Sequence, residues 1–132
     1  MQNERERSAS AQAQKTVLIV DDDRDIGELL RSIIVDQTSY RVVWIAESDL
    51  ALEAAPHLKP SLILLDYVMP TLDGLKLFDY MQGLEHIRGV PVVLISAKSS
   101  IPFEQLQARG IHFLGKPFEM DDLLDLLNRL VD

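Results

Sequence analysis

The sequence predicts an α/β doubly wound domain, a parallel sheet sandwiched between helices, on three observations. Five short runs of β-branched and other apolar residues alternate with segments of helical period. Most of these runs are apolar without alternation, as a strand covered on both faces requires. Hydrophobic residues make up 47% of a 132-residue chain, and a chain of that size buries roughly two-thirds of its unfolded surface, so no disulfide or structural metal is needed to hold a core.

The first run, 16–20 (TVLIV), precedes Ile26, Leu29, Leu30, Ile33 and Ile34, whose spacing draws one stripe along a helix. Run 41–46 (RVVWIA) leads into a helical segment over 50–58, where Pro56 is expected to kink or stop the helix near Ala55. Run 62–65 (LILL) is followed by a helical segment at 75–84. Run 92–96 (VVLIS) leads into the least regular stretch, in which Pro102 leaves only 103–109 for a helix. Run 112–114 (HFL) precedes a last helix over 123–131, with Leu123, Leu127, Leu130 and Val131 as its stripe and Leu126 at the edge, open to a partner. No internal repeat is present. The order βαβαβαβαβα implies right-handed crossovers within one doubly wound sheet. Residues 1–15 hold no large apolar side chain after Met1 and read as a flexible tail, leaving 16–132 as the domain.

Composition removes several functions. Without cysteine there is no thiol nucleophile and no Cys-ligated zinc or iron–sulfur site. A formal charge of −8 repels phosphate backbones and anionic lipid, so direct nucleic-acid or membrane binding is not expected. With no apolar run of membrane-spanning length and no N-terminal signal-type segment, the expected location is cytoplasmic.

In an open parallel sheet, ligands gather at the carboxyl ends of the strands. The first run ends in Asp21, Asp22 and Asp23, the third in Asp66 and the fourth in Ser96, while Lys116 and Pro117 follow the fifth. Crowded carboxylates repel one another unless a cation neutralises them. An open, oxygen-only donor set suits Mg²⁺, with Mn²⁺ as a substitute. A hard cation beside a carboxylate nucleophile, with a hydroxyl and an ammonium to bind phosphoryl oxygens, is equipment for handling phosphate.

These residues resemble the receiver domain of two-component response regulators. The matching pieces are VLIVDDD at 17–23, LILLDYVMPTLDG at 62–74, LISAK at 94–98 and GKPF at 115–118, and they span the chain after the tail. The resemblance implies a flavodoxin-like three-layer sandwich with strand order 2-1-3-4-5. It further implies Asp66 as phospho-acceptor, and Asp21 and Asp22 holding Mg²⁺ together with Asp66 and the main-chain carbonyl of Val68. Ser96 and Ala97 match the phosphoryl-binding switch positions, Lys116 the lysine that pairs with Asp66, and Phe113 the aromatic switch residue without a hydroxyl. The Lys116–Pro117 bond is implied to be cis. The implied partners are a sensor histidine kinase or phosphotransfer protein and a downstream protein target or output domain, with homodimerisation left open. The implied role is phospho-accepting signalling and not turnover catalysis.

The sequence departs from the family at one place: the step from Ser96 to Lys116 is 20 residues, shorter than usual, while the steps Asp22 to Asp66 (44) and Asp66 to Ser96 (30) are normal. The fourth helix is therefore expected to be short or irregular. Two other readings share these residues. One is a pseudo-receiver that does not use the phosphate. The other, ranked last, is a haloacid-dehalogenase-type phosphatase built on Asp21-x-Asp23, which leaves Asp66 unexplained. Asp23 reads better as a helix cap, Asp73 and Gly74 as turn and helix-start residues, and Gly110 and Gly115 as backbone necessities. Phe113 reads as core as well as switch. His57, His86 and His112 lie on different elements and read as structural or surface residues.

Overall fold

A computed structural model of the protein describes residues 15–131. The elements in chain order are β1 (Thr16–Val20), α1 (Arg24–Gln37), β2 (Arg41–Ile45), α2 (Ser48–Leu58), β3 (Leu62–Asp66) and α3 (Gly74–Met81). They continue with β4 (Val92–Ala97), a 3₁₀ turn (Lys98–Ser100), α4 (Phe103–Arg109), β5 (His112–Lys116) and α5 (Met120–Val131). All four strand pairings are parallel, in the order β2-β1-β3-β4-β5.

The unbroken apolar runs have a direct cause. Successive side chains on a strand point to opposite faces, and here each face feeds its own core. Leu18, Val20, Ile63, Leu65 and Leu94 pack with Ala51 and Ala55 of α2, Leu77 and Met81 of α3, and Leu106 of α4. Val17, Ile19, Leu62, Leu64, Val93 and Ile95 pack with Leu30 and Ile34 of α1 and Leu123 and Leu127 of α5. Every residue of β3 is buried.

Several sequence expectations need correction. Pro56 does not stop α2, which runs on to Leu58 and ends at Lys59 in the left-handed region. The proline sits in the last turn, where the amide it lacks forfeits a single bond. α3 stops at Met81 and not at 84, because the Gly83 and Leu84 amides bond back three residues to Tyr80 and Met81 and tighten the chain into turns. Leu29 is 47% exposed, since α1 turns Gly27, Leu30 and Ile34 inward. Leu126 is 6% exposed and belongs to the core, so it presents no free contact face. Gly110 caps α4 with φ 69°, a conformation that favours glycine. α4 has seven residues after a 3₁₀ turn, so the fourth helix is short.

The expected tail, 1–15, lies outside the described residues except for its last member. Lys15 belongs with the domain: its carbonyl accepts from the Arg41 amide at 2.7 Å and its Nζ donates to the Val131 carbonyl at 2.8 Å. A cation there favours the C-terminal end of α5.

Leu64→Ala tests the two-faced packing. Leu64 is fully buried on β3, and removing its side chain is expected to lower unfolding free energy by about 2–5 kcal/mol in urea titrations.

Candidate functional site

The strand ladder carries the polar residues to one rim. Asp66 is the last residue of β3 and pairs with Ile95; Ser96 pairs with Gly115, and Ala97 with Lys116. Asp21 directly follows β1, and its amide donates to the Ile45 carbonyl at 3.2 Å, one rung past the end of the strand. Asp21, Asp22 and Asp66 each bring a carboxylate oxygen to within 4.8 Å of the others. Lys116 Nζ lies 3.6 Å from Asp66 Oδ1. Ser96 is buried in β4, one residue beyond the partner of Asp66.

Burial dominates the electrostatics. Asp21 is 1% exposed and Asp66 6%, while Asp22 is exposed. Asp66 is pushed up to about 7, chiefly by burial and then by the negative charge of Asp21; Lys116 pulls in the other direction without cancelling the rise. Burial also raises Asp21, against the lowering effect of the Asp23 amide bonded to it. That amide donates to Asp21 Oδ1 at 2.9 Å, whereas the buried Oδ2 has no hydrogen-bond partner. An orphaned buried carboxylate oxygen beside two further carboxylates fits a hard divalent cation, which would remove both the repulsion and the unmet acceptor.

Asp23 itself is the N-cap of α1, its Oδ1 accepting from the Asp25 and Ile26 amides at 2.9 and 3.3 Å. Asp73 caps α3 in the same way through the Lys76 amide, and Gly74 is required by close approach: a Cβ there would stand 2.6 Å from the Asp66 carbonyl oxygen.

Val68 lies in the loop from Asp66 to α3 with its side chain exposed, so its main chain is what it can offer. The loop is fixed at several points. The Tyr67 amide donates to the Ile95 carbonyl, the Gly74 amide to the Tyr67 carbonyl, and Ser48 Oγ of α2 to the Leu72 carbonyl at 2.9 Å. Phe113 is 42% exposed and so is not core; it meets Phe103 of α4 edge to face, with ring centres 5.2 Å apart. The Lys116–Pro117 bond is cis. His57, His86 and His112 are all exposed.

Three residues escape a reading of the sequence: Trp44, whose Nε1 donates to the Asp21 carbonyl at 2.9 Å, Gly27 beneath its ring, and Ser48. The one available signal is Gly27, a glycine inside a helical pattern, which points to a close approach.

The family model described as response regulator receiver domain matches residues 17–128. A protein-glutamate methylesterase/protein-glutamine glutaminase of Geobacter metallireducens is 38% identical over 106 residues, covering 76% of this chain and 28% of the relative. The DNA-binding response regulator MtrA of Mycobacterium tuberculosis is 30% identical over 110 residues, covering 82% of this chain and 46% of the relative. The chain thus spans less than half the length of these two relatives. Among solved structures, the chemotaxis protein CheY4 of Vibrio cholerae superposes with TM-score 0.82 at 26% identity, covering 89% of this chain and 99% of that one. The receiver domain of the sensor histidine kinase PA1611 of Pseudomonas aeruginosa, with a magnesium ion coordinated in its active site cleft, gives TM-score 0.80 at 26% identity and covers 90% of this chain and 98% of that one.

The buried carboxylates set a pH dependence. In the fold Asp66 keeps its proton up to about pH 7, but in the unfolded chain only to about pH 4. The folded state therefore binds the extra proton in that window, and this contribution to stability is lost as pH rises through it. In metal-free buffer, the Tm of Asp66→Asn minus that of the native protein is expected to be smallest near pH 4, to grow as pH rises to about 7 and to level off above it. Thermal unfolding across that range, followed by circular dichroism, measures the difference.

Proposed function

The chain belongs to the response regulator receiver domain family, and on that footing we propose that it accepts a phosphoryl group on Asp66 from the phosphohistidine of a sensor kinase or phosphotransfer protein. The observation that carries this reading is one arrangement: a buried carboxylate on the last rung of the central strand, with two acidic residues on one side and a lysine 3.6 Å away on the other.

An Asp66 carboxylate oxygen attacks phosphorus. The new P–O bond forms as the P–N bond to imidazole breaks, and the departing ring nitrogen keeps the electron pair and takes a proton from solvent. Asp66 must be ionised to attack, so the high proton affinity that burial and Asp21 give it has to be overcome by positive charge. Lys116 supplies part of it, and its ammonium passes from the carboxylate to a phosphoryl oxygen as the acyl phosphate forms. Ser96 donates its hydroxyl, and Ala97 its amide, to the remaining phosphoryl oxygens. Asp21, Asp22, Asp66 and the Val68 carbonyl would hold Mg²⁺, or Mn²⁺ in its place, and the bound ion supplies the charge that neutralises phosphoryl oxygens. The unbonded Asp21 Oδ2 supports that assignment, as does the magnesium reported for the PA1611 receiver domain.

The product is a signal and not a released compound, so the protein acts as a switch without turnover chemistry. Its output is a protein target or an output domain in a longer polypeptide, as the longer relatives illustrate. The acidic charge opposes nucleic-acid binding by this domain. No helix among the described residues is long and apolar enough to cross a membrane, and a kinase-coupled switch of this kind works in the cytoplasm.

Incubation with a small phosphodonor and Mg²⁺, followed by borohydride trapping and peptide mapping, is expected to label Asp66 alone. Asp66→Asn or excess chelator should abolish the label. Label on Asp21 would favour the phosphatase reading, and none anywhere the pseudo-receiver.

Hydrogen exchange with and without beryllofluoride, a phosphoryl mimic, locates the output. Protection is expected to change most across 97–107, the stretch that joins Ser96 to the short α4. Changes confined to α5, with 97–107 equal in the two states, would show that the signal leaves by another face.

A further inference from the structure

Asp21 is held from three directions. The ladder between β1 and β2 is marked by the Arg41 amide bonding to the Lys15 carbonyl at one end and the Asp21 amide bonding to the Ile45 carbonyl at the other. In a parallel pair these bonds alternate, so the next rung would be a Glu47 amide donating to the Asp21 carbonyl. Strand β2 has ended by then, and Glu47 is already the N-cap residue of α2. The Asp21 carbonyl accepts from the indole Nε1 of Trp44 instead, at 2.9 Å. The Asp23 amide takes the side-chain Oδ1 at 2.9 Å, and Oδ2 remains the buried atom without a hydrogen-bond partner.

The indole is in turn fixed by its bed. Trp44 packs on the core between the sheet and α1, and a Cβ at Gly27 would stand only 2.2 Å from Cε2 and 2.5 Å from Nε1 of its ring. Glycine at this position lowers helix propensity, and what it permits is contact between the ring and the α1 backbone. Because the Asp21 carbonyl belongs to the peptide that joins Asp21 to Asp22, a donor on that oxygen sets the orientation of both acidic residues at once.

We infer that Trp44, seated on Gly27, is a positioning residue for the divalent cation: its indole N–H supplies the missing last rung of the sheet and thereby holds Asp21 and Asp22 in ligating geometry. This rests on the phospho-acceptor reading and extends it from the ligands to a residue that touches none of the reacting atoms. Removing an outer partner of a ligand set commonly weakens metal binding without unfolding the protein.

The chain contains a single tryptophan, so biosynthetic replacement changes Trp44 and nothing else. Benzothienylalanine keeps the shape of the bicyclic ring but replaces the N–H with sulfur, whereas 5-fluorotryptophan keeps the donor. Mg²⁺ titration calorimetry is expected to show Kd raised about tenfold for the sulfur analogue and unchanged for the fluorinated one, at comparable urea midpoints. Gly27→Ala, which displaces the ring, should raise the Mg²⁺ Kd similarly. An unchanged Kd in the folded sulfur analogue overturns the inference while leaving the phospho-acceptor reading intact. An equal loss in the fluorinated protein also overturns it, by assigning the effect to ring packing. If the native protein binds no Mg²⁺, the inference and the metal-dependent reading fall together.

Discussion

In a parallel sheet covered by helices on both faces the inner strands, here β1, β3 and β4, meet solvent only at their ends, and that constraint organises the rest of this molecule. The apolar strand residues belong to two separate cores, one on each face. A polar group can be held by the sheet without entering either core only near a strand terminus. Asp66, Ser96 and Lys116 use that position while remaining inside the ladder, so the backbone bonds that hold the sheet also locate the chemistry. Asp21 is the extreme case: it lies one residue beyond its strand and needs a side chain to complete its bonding.

The arrangement is electrostatically costly. Two buried carboxylates face each other, both raised mainly by burial, and the lysine beside them does not compensate fully. A pocket with excess negative charge and an unused acceptor stores a preference for positive partners, and binding relieves it. Site and fold are therefore coupled through protonation: whatever stabilises ionised Asp66 must first displace the proton that burial favours.

This logic explains which parts could be read from the sequence. Apolar runs interrupted by Asp, Ser or Lys mark both the strand and its functional end, so the acidic residues, Ser96 and Lys116 stand out. The same interruption makes the runs 62–65 and 112–114 look shorter than the strands Leu62–Asp66 and His112–Lys116, because hydropathy stops where the ladder does not. Helical periodicity gives the face of a helix but not its rotation on the sheet, which is why Leu29 turns out exposed and Leu126 buried. Trp44 and Ser48 are illegible for a different reason. Each acts through a hydrogen bond to a distant carbonyl, 23 and 24 residues away, and no local pattern encodes that bond.

The short α4 shows how length sets restraint. Seven residues form a helix too short to stand without tertiary contacts, and those contacts are uneven along its length. At its far end Arg109 grips Asp79 of α3 with two bonds of 2.8 and 2.9 Å, and Gly110 caps the turn. At the end nearer Ser96, Pro102 occupies the N-cap without a side-chain cap bond, and Phe103 is exposed apart from its edge contact with Phe113. Ile101 and Leu106 anchor the segment in the core between these ends. A helix clamped at one end and loosely held at the other responds by changing order and tilt at the loose end more readily than by sliding as a rigid rod. Here the loose end adjoins β4, so the least restrained backbone of this segment lies next to Ser96 and Ala97.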